Sequence, residues 1–188
     1  DEFLRRALRD PQLDLTIVTA LTLRRPAANS ELERRFLEPL AARIFGDHHD
    51  PEYVAAQRAG TLPANVRVIE FYLEPGAALG VAAAQQHYLS ANYTHVARDI
   101  LARGVNVIAQ LVARRGSGAN ESFSLGSNPD VTLDLLPGLA AARRAGREIV
   151  SIASVHAQLP YMYGGAEVAP DTFDFVLDDP RDDATLYE

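Results

Sequence analysis

Twice in the second half of this chain, an apolar strand-like segment leads into a loop of small and polar residues. The first segment is Val105–Val112 with the loop Ser122–Asp130, and the second is Ile149–Val155 with the loop His156–Gly165. Apolar runs of this length are typical of buried strands. In parallel α/β sheets, ligands bind outside the carboxyl ends of the strands. The sequence therefore predicts an α/β fold with a binding site in these two loops.

Strand-like and helix-like segments alternate along the chain, which indicates a mostly parallel sheet flanked by helices. A chain of 188 residues is long enough for one good core, so we expect a single α/β domain over residues 1–188. The predicted strands are Leu15–Leu23, Val66–Leu73, Val105–Val112, Ile149–Val155 and Phe173–Leu177.

Cap and breaker residues mark the predicted helices. Ser30 with Glu33 is a capping box, and Asn128-Pro129 has the form of an N-cap followed by proline at the first helical position. Pro39 is predicted to kink or restart its helix, because a proline ring clashes with the preceding turn. Pro137-Gly138 is predicted to interrupt the helix that Asn128-Pro129 opens.

The composition excludes several kinds of chemistry. All 18 basic residues are Arg, so a P-loop lysine, a Schiff-base lysine and a pyridoxal-phosphate anchor are excluded. The chain has no Cys, which excludes thiolate nucleophiles, disulfides and thiolate zinc sites. The net charge of −7 argues against a nucleic-acid partner. No apolar stretch approaches the ~18 residues of a transmembrane helix, so we expect no membrane partner and a cytoplasmic location.

Isolated titratable residues have both functional and structural interpretations. Asp47–Asp50 (DHHD) groups metal-ligand residue types, but adjacent side chains rarely converge on one ion, so we expect a solvated loop and no metal. His87 and His95 could serve acid–base chemistry or be structural histidines. Glu70 and Glu74 follow a predicted strand, where a functional carboxylate or a solvated turn acid are both possible.

The two polar loops hold the predicted substrate-binding residues. In the first loop a glycine permits close backbone approach, and the helix that follows offers unpaired N–H groups suited to an anion or a polarised carbonyl. An ordinary strand-to-helix connection is the alternative. Because neighbouring parallel strands lie ~4.8 Å apart, we expect the two loops to share one crevice. The predicted residues are Ser124, Gly126, Asn128, His156, Pro160 and Gly164.

Four segments in this order resemble the acetyl-CoA hydrolase/transferase family, which includes the 4-hydroxybutyrate CoA-transferases. They are YTHVARDILARGVNV (93–107), FSLGSNPD (123–130), IASVHAQLPYMYGG (152–165) and FDFVLD (173–178). The resemblance extends from about Leu15 to Leu177, and the order and spacing of the motifs carry its specificity.

The resemblance implies a CoA-transferase-like fold and an acyl-CoA substrate, with coenzyme A entering as substrate and no separate cofactor. In such enzymes a glutamate attacks the thioester, and a carboxylic acid or water resolves the glutamyl-CoA intermediate. Members have two α/β halves, with the nucleophilic glutamate in the second half. The resemblance therefore implies that this chain is an N-terminal half whose partner is a missing C-terminal half, with a homo-oligomer as a further possibility.

One position departs from the family pattern, because His156 stands where the pattern has Asn. No glutamate of this chain matches the nucleophile, so the catalytic residue is expected outside it. Two hypotheses stay open: a piece of a CoA-transferase or acetyl-CoA hydrolase that is inactive alone, and a stand-alone, non-catalytic module that binds a ligand or a partner.

Overall fold

A computed structural model of the chain describes residues 1–46 and 48–179, in two compact units. The first unit is Asp1–Ala42 with His48–Val96, and the second comprises residues 43–46 and 97–179. The helices are α1 (Glu2–Arg9), α2 (Glu31–Phe45), α3 (Glu52–Ala59), α4 (Ala82–Gln86), α5 (Tyr93–Ala102) and α6 (Thr132–Arg144). The strands are β1 (Leu15–Thr19), β2 (Val66–Glu70), β3 (Val107–Arg115), β4 (Ser122–Ser124), β5 (Val150–Val155), β6 (Glu167–Val168) and β7 (Phe175–Leu177).

The first unit is built on a parallel pair of strands. β1 and β2 pair in register from Leu15 opposite Val66 to Thr19 opposite Glu70. Leu4 and Ala7 on the inner face of α1 pack against Val66, which closes a small apolar core. Both strands were predicted, and both end earlier than their apolar runs suggest.

Helix α2 begins as its sequence predicts. The Glu33 N–H donates to Ser30 Oγ at 3.2 Å, and Glu33 Oε2 accepts the Asn29 N–H at 2.7 Å. The chain thus forms a capping box whose glutamate reaches one residue further back than usual. The helix continues through Pro39 to Phe45 and does not restart.

Helix α6 contradicts two predictions. It begins at Thr132, three residues after Pro129, and it continues unbroken through Pro137 and Gly138. A side chain at Gly138 would meet Leu101 Cδ1 of α5 at 2.3 Å, so α5 packs closely over this point of α6. The helix thus accommodates both residues, although each has a low helix propensity.

The sheet of the second unit is mixed, so the prediction of a mostly parallel sheet is wrong. Its strand order is β6-β4-β3-β5-β7, flanked by helices. β3, β5 and β7 run parallel, whereas β4 is antiparallel to both β3 and β6. Within the described ranges, no helix combines the length and apolar composition that crossing a bilayer requires.

The antiparallel part arises at a glycine turn. β3 extends to Arg115, three residues beyond the predicted strand, and Gly116 then adopts φ +73°. The chain returns as β4, with Ala113 opposite Ser124, so the predicted loop Ser122–Asp130 begins as a strand. The β3–β4 pairing buries Phe123 in the core, where its ring meets Phe173 edge-to-face at 6.0 Å.

A network of hydrogen bonds and an ion pair links β7 to β5 at their amino ends. Asp174 Oδ2 accepts the Ser151 N–H at 2.7 Å and the Ser151 hydroxyl at 2.8 Å. It also accepts Arg143 Nη2 at 2.6 Å. These hydrogen bonds from Ser151, followed by the Arg143 guanidinium, lower the pKa of Asp174 below its ordinary value.

The glycine turn predicts a specific sensitivity. In Gly116→Ala the new Cβ would lie 2.2 Å from the Asn120 backbone oxygen, at a φ of +73°. We expect a loss of at least about 2 kcal/mol in urea unfolding, since left-handed strain and a backbone clash add. Gly118→Ala is the matched control, because Gly118 also has positive φ but nothing within 4 Å of a Cβ. Equal losses in the two variants would contradict the clash.

The Asp174 network predicts a pH dependence. Because the folded-state pKa is lowered, the ionised carboxylate stabilises the fold above its unfolded pKa of about 3.9, and this contribution is lost as pH falls through the folded value. Asp174→Asn should therefore lower the free energy of unfolding near neutral pH. In acid, the difference in this free energy between the variant and the wild type should become smaller. Urea unfolding across this range measures both, and a gap independent of pH would contradict the assignment.

Candidate functional site

The structure brings the two predicted loops together. Ser124 in the first loop hydrogen-bonds the backbone of Met162 in the second, 38 residues away along the chain. The Leu125 N–H donates to the Ala166 oxygen at 2.9 Å, and β4 pairs with β6 just beyond. The contact therefore rests on antiparallel pairing of β4 and β6, and not on neighbouring ends of parallel strands.

Ser124 links the two loops through hydrogen bonds. Its side chain is fully buried, and its Oγ donates to the Met162 oxygen at 2.8 Å. Ser124 Oγ also accepts hydrogen bonds from the N–H groups of Met162, at 2.9 Å, and of Gly126, at 3.2 Å. A hydroxyl has one donor and two acceptor positions, so these bonds use its whole capacity. Backbone groups of the two loops therefore occupy all three hydrogen-bonding positions of Ser124.

Gly126 lets the second loop approach the first. It is buried with φ +75°, and a Cβ there would lie 3.1–3.2 Å from the side chain of Leu159. Leu159 thus fills the space that the missing side chain leaves, and Pro160 follows it at the exposed surface. The glycine serves loop-to-loop contact in this structure.

His156 directly follows β5 and is 4% exposed. Its N–H donates to the Val112 oxygen at 2.9 Å, which extends the pairing of β3 with β5 by one residue. Its Nδ1 accepts the Gln158 N–H at 3.2 Å. The neutral ring then carries its proton on Nε2, because an accepting Nδ1 has no proton. His156 fixes the start of the second loop from the carboxyl end of β5.

Asn128 and Gly164 are exposed and bond within their own turns. Asn128 Oδ1 accepts the Asp130 N–H at 3.1 Å, and Asp130 has the positive φ of 52° that such Asx turns tolerate. Burial raises the pKa of the Asp130 carboxyl. Gly164 has φ +72°, and its N–H points to Glu167 Oε2 at 3.4 Å. Both residues thus stabilise turns of the two loops at the protein surface.

Beside these loops lies a polar and aromatic cluster that the sequence did not indicate as a group, formed by Arg115, Ser122, Tyr161, Tyr163 and Glu167. The Tyr161 hydroxyl donates to Glu167 Oε1 at 2.7 Å and lies 2.8 Å from Ser122 Oγ. The Arg115 guanidinium lies over both tyrosine rings, 5.4 and 5.3 Å from their centroids. We call this group the Tyr161 cluster.

The Tyr161 cluster combines a cation with exposed aromatic surface. Burial, with the hydrogen bond and charge of Glu167, raises the pKa of Tyr161, so the phenol stays protonated at neutral pH. Tyr163 is 67% exposed, and its ring meets that of Tyr161 edge-to-face at 5.2 Å. The signal in the sequence is the alternation Tyr-Met-Tyr, because extended backbone places alternate side chains on one side.

The other candidate carboxylates have protein partners in the first unit. Glu70 Oε1 accepts the Thr22 N–H at 3.1 Å, and Glu74 forms an ion pair with Arg24. They border a cleft of about 40 Å³. Asp47 of the DHHD stretch lies outside the described residues. In the part of the chain that is described, no three metal-ligating side chains group closely enough to hold an ion.

The fastening role of Ser124 predicts a stability effect. In Ser124→Ala the buried backbone groups of Met162 and Gly126 lose their partner, which should cost about 1–3 kcal/mol in urea unfolding. Amide hydrogen exchange of Met162 should quicken in the same variant. Ser127→Ala is the control, because Ser127 is exposed. Unchanged stability of Ser124→Ala would contradict the fastening role.

Comparison with known proteins gives a likeness of fold. No protein-family model and no curated protein sequence matches this chain. A mutant of RipA matches at 16% identity over 94% of this chain and 40% of its own, with a TM-score of 0.51. RipA from Yersinia pestis matches at 13% identity over 89% of this chain and 39% of its own, with a TM-score of 0.46.

A 4-hydroxybutyrate CoA-transferase from Porphyromonas gingivalis also matches, at 16% identity over 94% of this chain and 39% of its own, with a TM-score of 0.38. The chain spans about two fifths of the length of these three solved structures. Identities this low show a shared fold alone, and of these three likenesses the one to the RipA mutant is strong enough to show it.

Proposed function

We propose that this chain is part of an acyl-CoA transferase or acetyl-CoA hydrolase that acts in the cytoplasm. It would supply walls of the acyl-CoA site, and the glutamate nucleophile would come from a second half. The observation that carries the proposal is the contact of the Ser124–Gly126 loop with the His156–Gly164 loop beside the carboxyl end of β5. These are the segments whose order resembles the acetyl-CoA hydrolase/transferase family, and the fold likeness to RipA supports it.

The proposed reaction proceeds by two acyl exchanges. A glutamate carboxylate attacks the thioester carbonyl, which breaks the C–S bond and gives an acyl-glutamyl anhydride with free CoA thiolate. The thiolate then attacks the glutamyl carbonyl, which releases the acyl group as a carboxylate and leaves a glutamyl-CoA thioester. A second carboxylate resolves this thioester in a transferase, and water does so in a hydrolase.

Within this proposal the six predicted residues have different tasks. Ser124 and Gly126 hold the loops in register, and His156 sets the direction in which the second loop leaves β5. The exposed Asn128, Pro160 and Gly164 are then the ones able to touch substrate. The Tyr161 cluster adds the Arg115 cation and the exposed Tyr163 ring, which suit the phosphates and the adenine ring of coenzyme A.

None of the glutamates in the described sites is proposed as the nucleophile. Glu70 bonds to Thr22, Glu74 to Arg24, and Glu167 to Tyr161. Each carboxylate already has a hydrogen-bonding or ion-pair partner within the protein. The nucleophile is therefore assigned to the second half that the family resemblance implies.

The edge strand β7 is the proposed contact with that second half. Its three residues Phe175, Val176 and Leu177 are apolar and 42–59% exposed at the edge of the described sheet. An apolar strand at a sheet edge is a surface that native proteins cover. A further α/β half packed here would bury it.

The test uses the full-length protein with acetyl-CoA, and measures release of free thiol. Gly126→Val and His156→Ala should each lower turnover about 10- to 100-fold, since both displace the loops that position substrate. His156→Asn should retain more activity than His156→Ala, because an Asn side-chain oxygen can accept the Gln158 N–H that Nδ1 accepts. Ser127→Ala is the control on an exposed position of the same loop.

The outcomes separate the hypotheses. The 188-residue chain alone should release thiol only at the background rate. Folded Gly126→Val and His156→Ala proteins with full activity would show that the site assignment is wrong. A full-length protein that binds coenzyme A but never turns it over would favour the non-catalytic module instead.

A further inference from the structure

The second unit contains a cavity at the opposite end of its sheet from the candidate site. It has a volume of about 300 Å³ and lies between α6 and the amino ends of β3, β5 and β7. Pockets that bind small molecules begin at about this size, and an apolar cavity of about 150 Å³ is already enough for benzene. Its walls are mainly the aliphatic side chains of Ile108, Leu136, Leu139 and Ile149.

Two of the polar side chains at this cavity are already satisfied within the protein. The single hydrogen of the Ser151 hydroxyl has two acceptors within reach, Asp174 Oδ2 at 2.8 Å and the Thr172 oxygen at 3.0 Å. Arg143 Nη2 bonds to Asp174 at 2.6 Å and to the Ile149 oxygen at 2.8 Å. The positive charge of Arg143 is thus neutralised by Asp174, and neither Arg143 nor Ser151 requires a ligand.

The remaining charge at the cavity is negative. Asp171 borders it, is exposed, and makes no side-chain hydrogen bond or ion pair to any residue of the described chain. The cavity also lies under the last turns of α6, through Leu139, Ala140 and Arg143. The carboxyl end of a helix carries the negative end of its dipole and favours a cation. Both features select the same sign of ligand charge.

We propose that this cavity binds a small organic amine, with its apolar body between α6 and the sheet and its ammonium group paired with the Asp171 carboxylate. Aliphatic walls suit a body of about one phenyl ring with a short chain. An ammonium group near an unpaired carboxylate gains a charge-assisted hydrogen bond. The site is separate from the proposed thioester chemistry and does not depend on it.

The test compares three ligands of the same shape by calorimetry on the full-length protein. 2-Phenylethylamine should bind at least tenfold more tightly than 2-phenylethanol, and 3-phenylpropionate should bind most weakly. Asp171→Asn should remove this preference for the amine while leaving the affinity for the alcohol unchanged. Asp134→Asn is the control, because Asp134 is an exposed carboxylate on α6 that does not border the cavity.

A cavity-filling variant separates a site from a packing void. Ala140→Leu places added side-chain volume in the cavity and should abolish amine binding. Where that variant does not fold, Asp171→Asn at the exposed rim still decides the matter. Absence of amine binding to the wild type, equal affinity for all three ligands, or amine affinity unchanged in Asp171→Asn would each overturn the proposal.

Discussion

The backbone turn at Gly116 determines which segments meet in the second unit. Its φ of +73° and the nearby Asn120 carbonyl leave no room for a side chain. The turn lays β4 antiparallel beside β3, which exposes the far edge of β4 to β6. That pairing returns the chain after His156 across the first loop, so that Ser124 can bond Met162. The mixed sheet, the burial of Phe123 and the candidate site all follow from one change of chain direction.

The sequence predicted those features that depend on local patterns. Ser30 and Glu33 formed their cap, and the apolar runs became β1, β2, β3, β5 and β7. The sequence did not predict features that depend on contacts between residues far apart along the chain. β4 is three residues long and β6 is two, too short for a periodic signal. A side chain at Gly138 would meet Leu101 of α5, a contact that no pattern within α6 contains.

In the candidate site too, local sequence patterns predicted where the polar residues lie but not which groups they contact. Polar types in glycine-rich loops predicted where a site would form, and the structure shows that the buried ones serve the loops themselves. The Ser124 hydroxyl is hydrogen-bonded to backbone groups, and His156 Nδ1 accepts the Gln158 N–H. Buried polar groups must be satisfied in this way, since an unpaired one is costly. Within the proposed function, substrate contact is assigned to exposed neighbours, above all the Tyr161 cluster, whose members come from β3, β4, the second loop and β6.

The two ends of this sheet differ in charge, and the difference follows from which arginines are neutralised. Near the carboxyl ends, Arg114 pairs with Asp178 at 2.6 Å, whereas Arg115 lies over Tyr161 and Tyr163 and has no carboxylate partner in the described chain. At the amino ends, Arg143 is neutralised by Asp174 and the unpaired charge is that of Asp171. These unpaired charges are the reason why we propose CoA phosphates as ligands at the first end and an amine at the second.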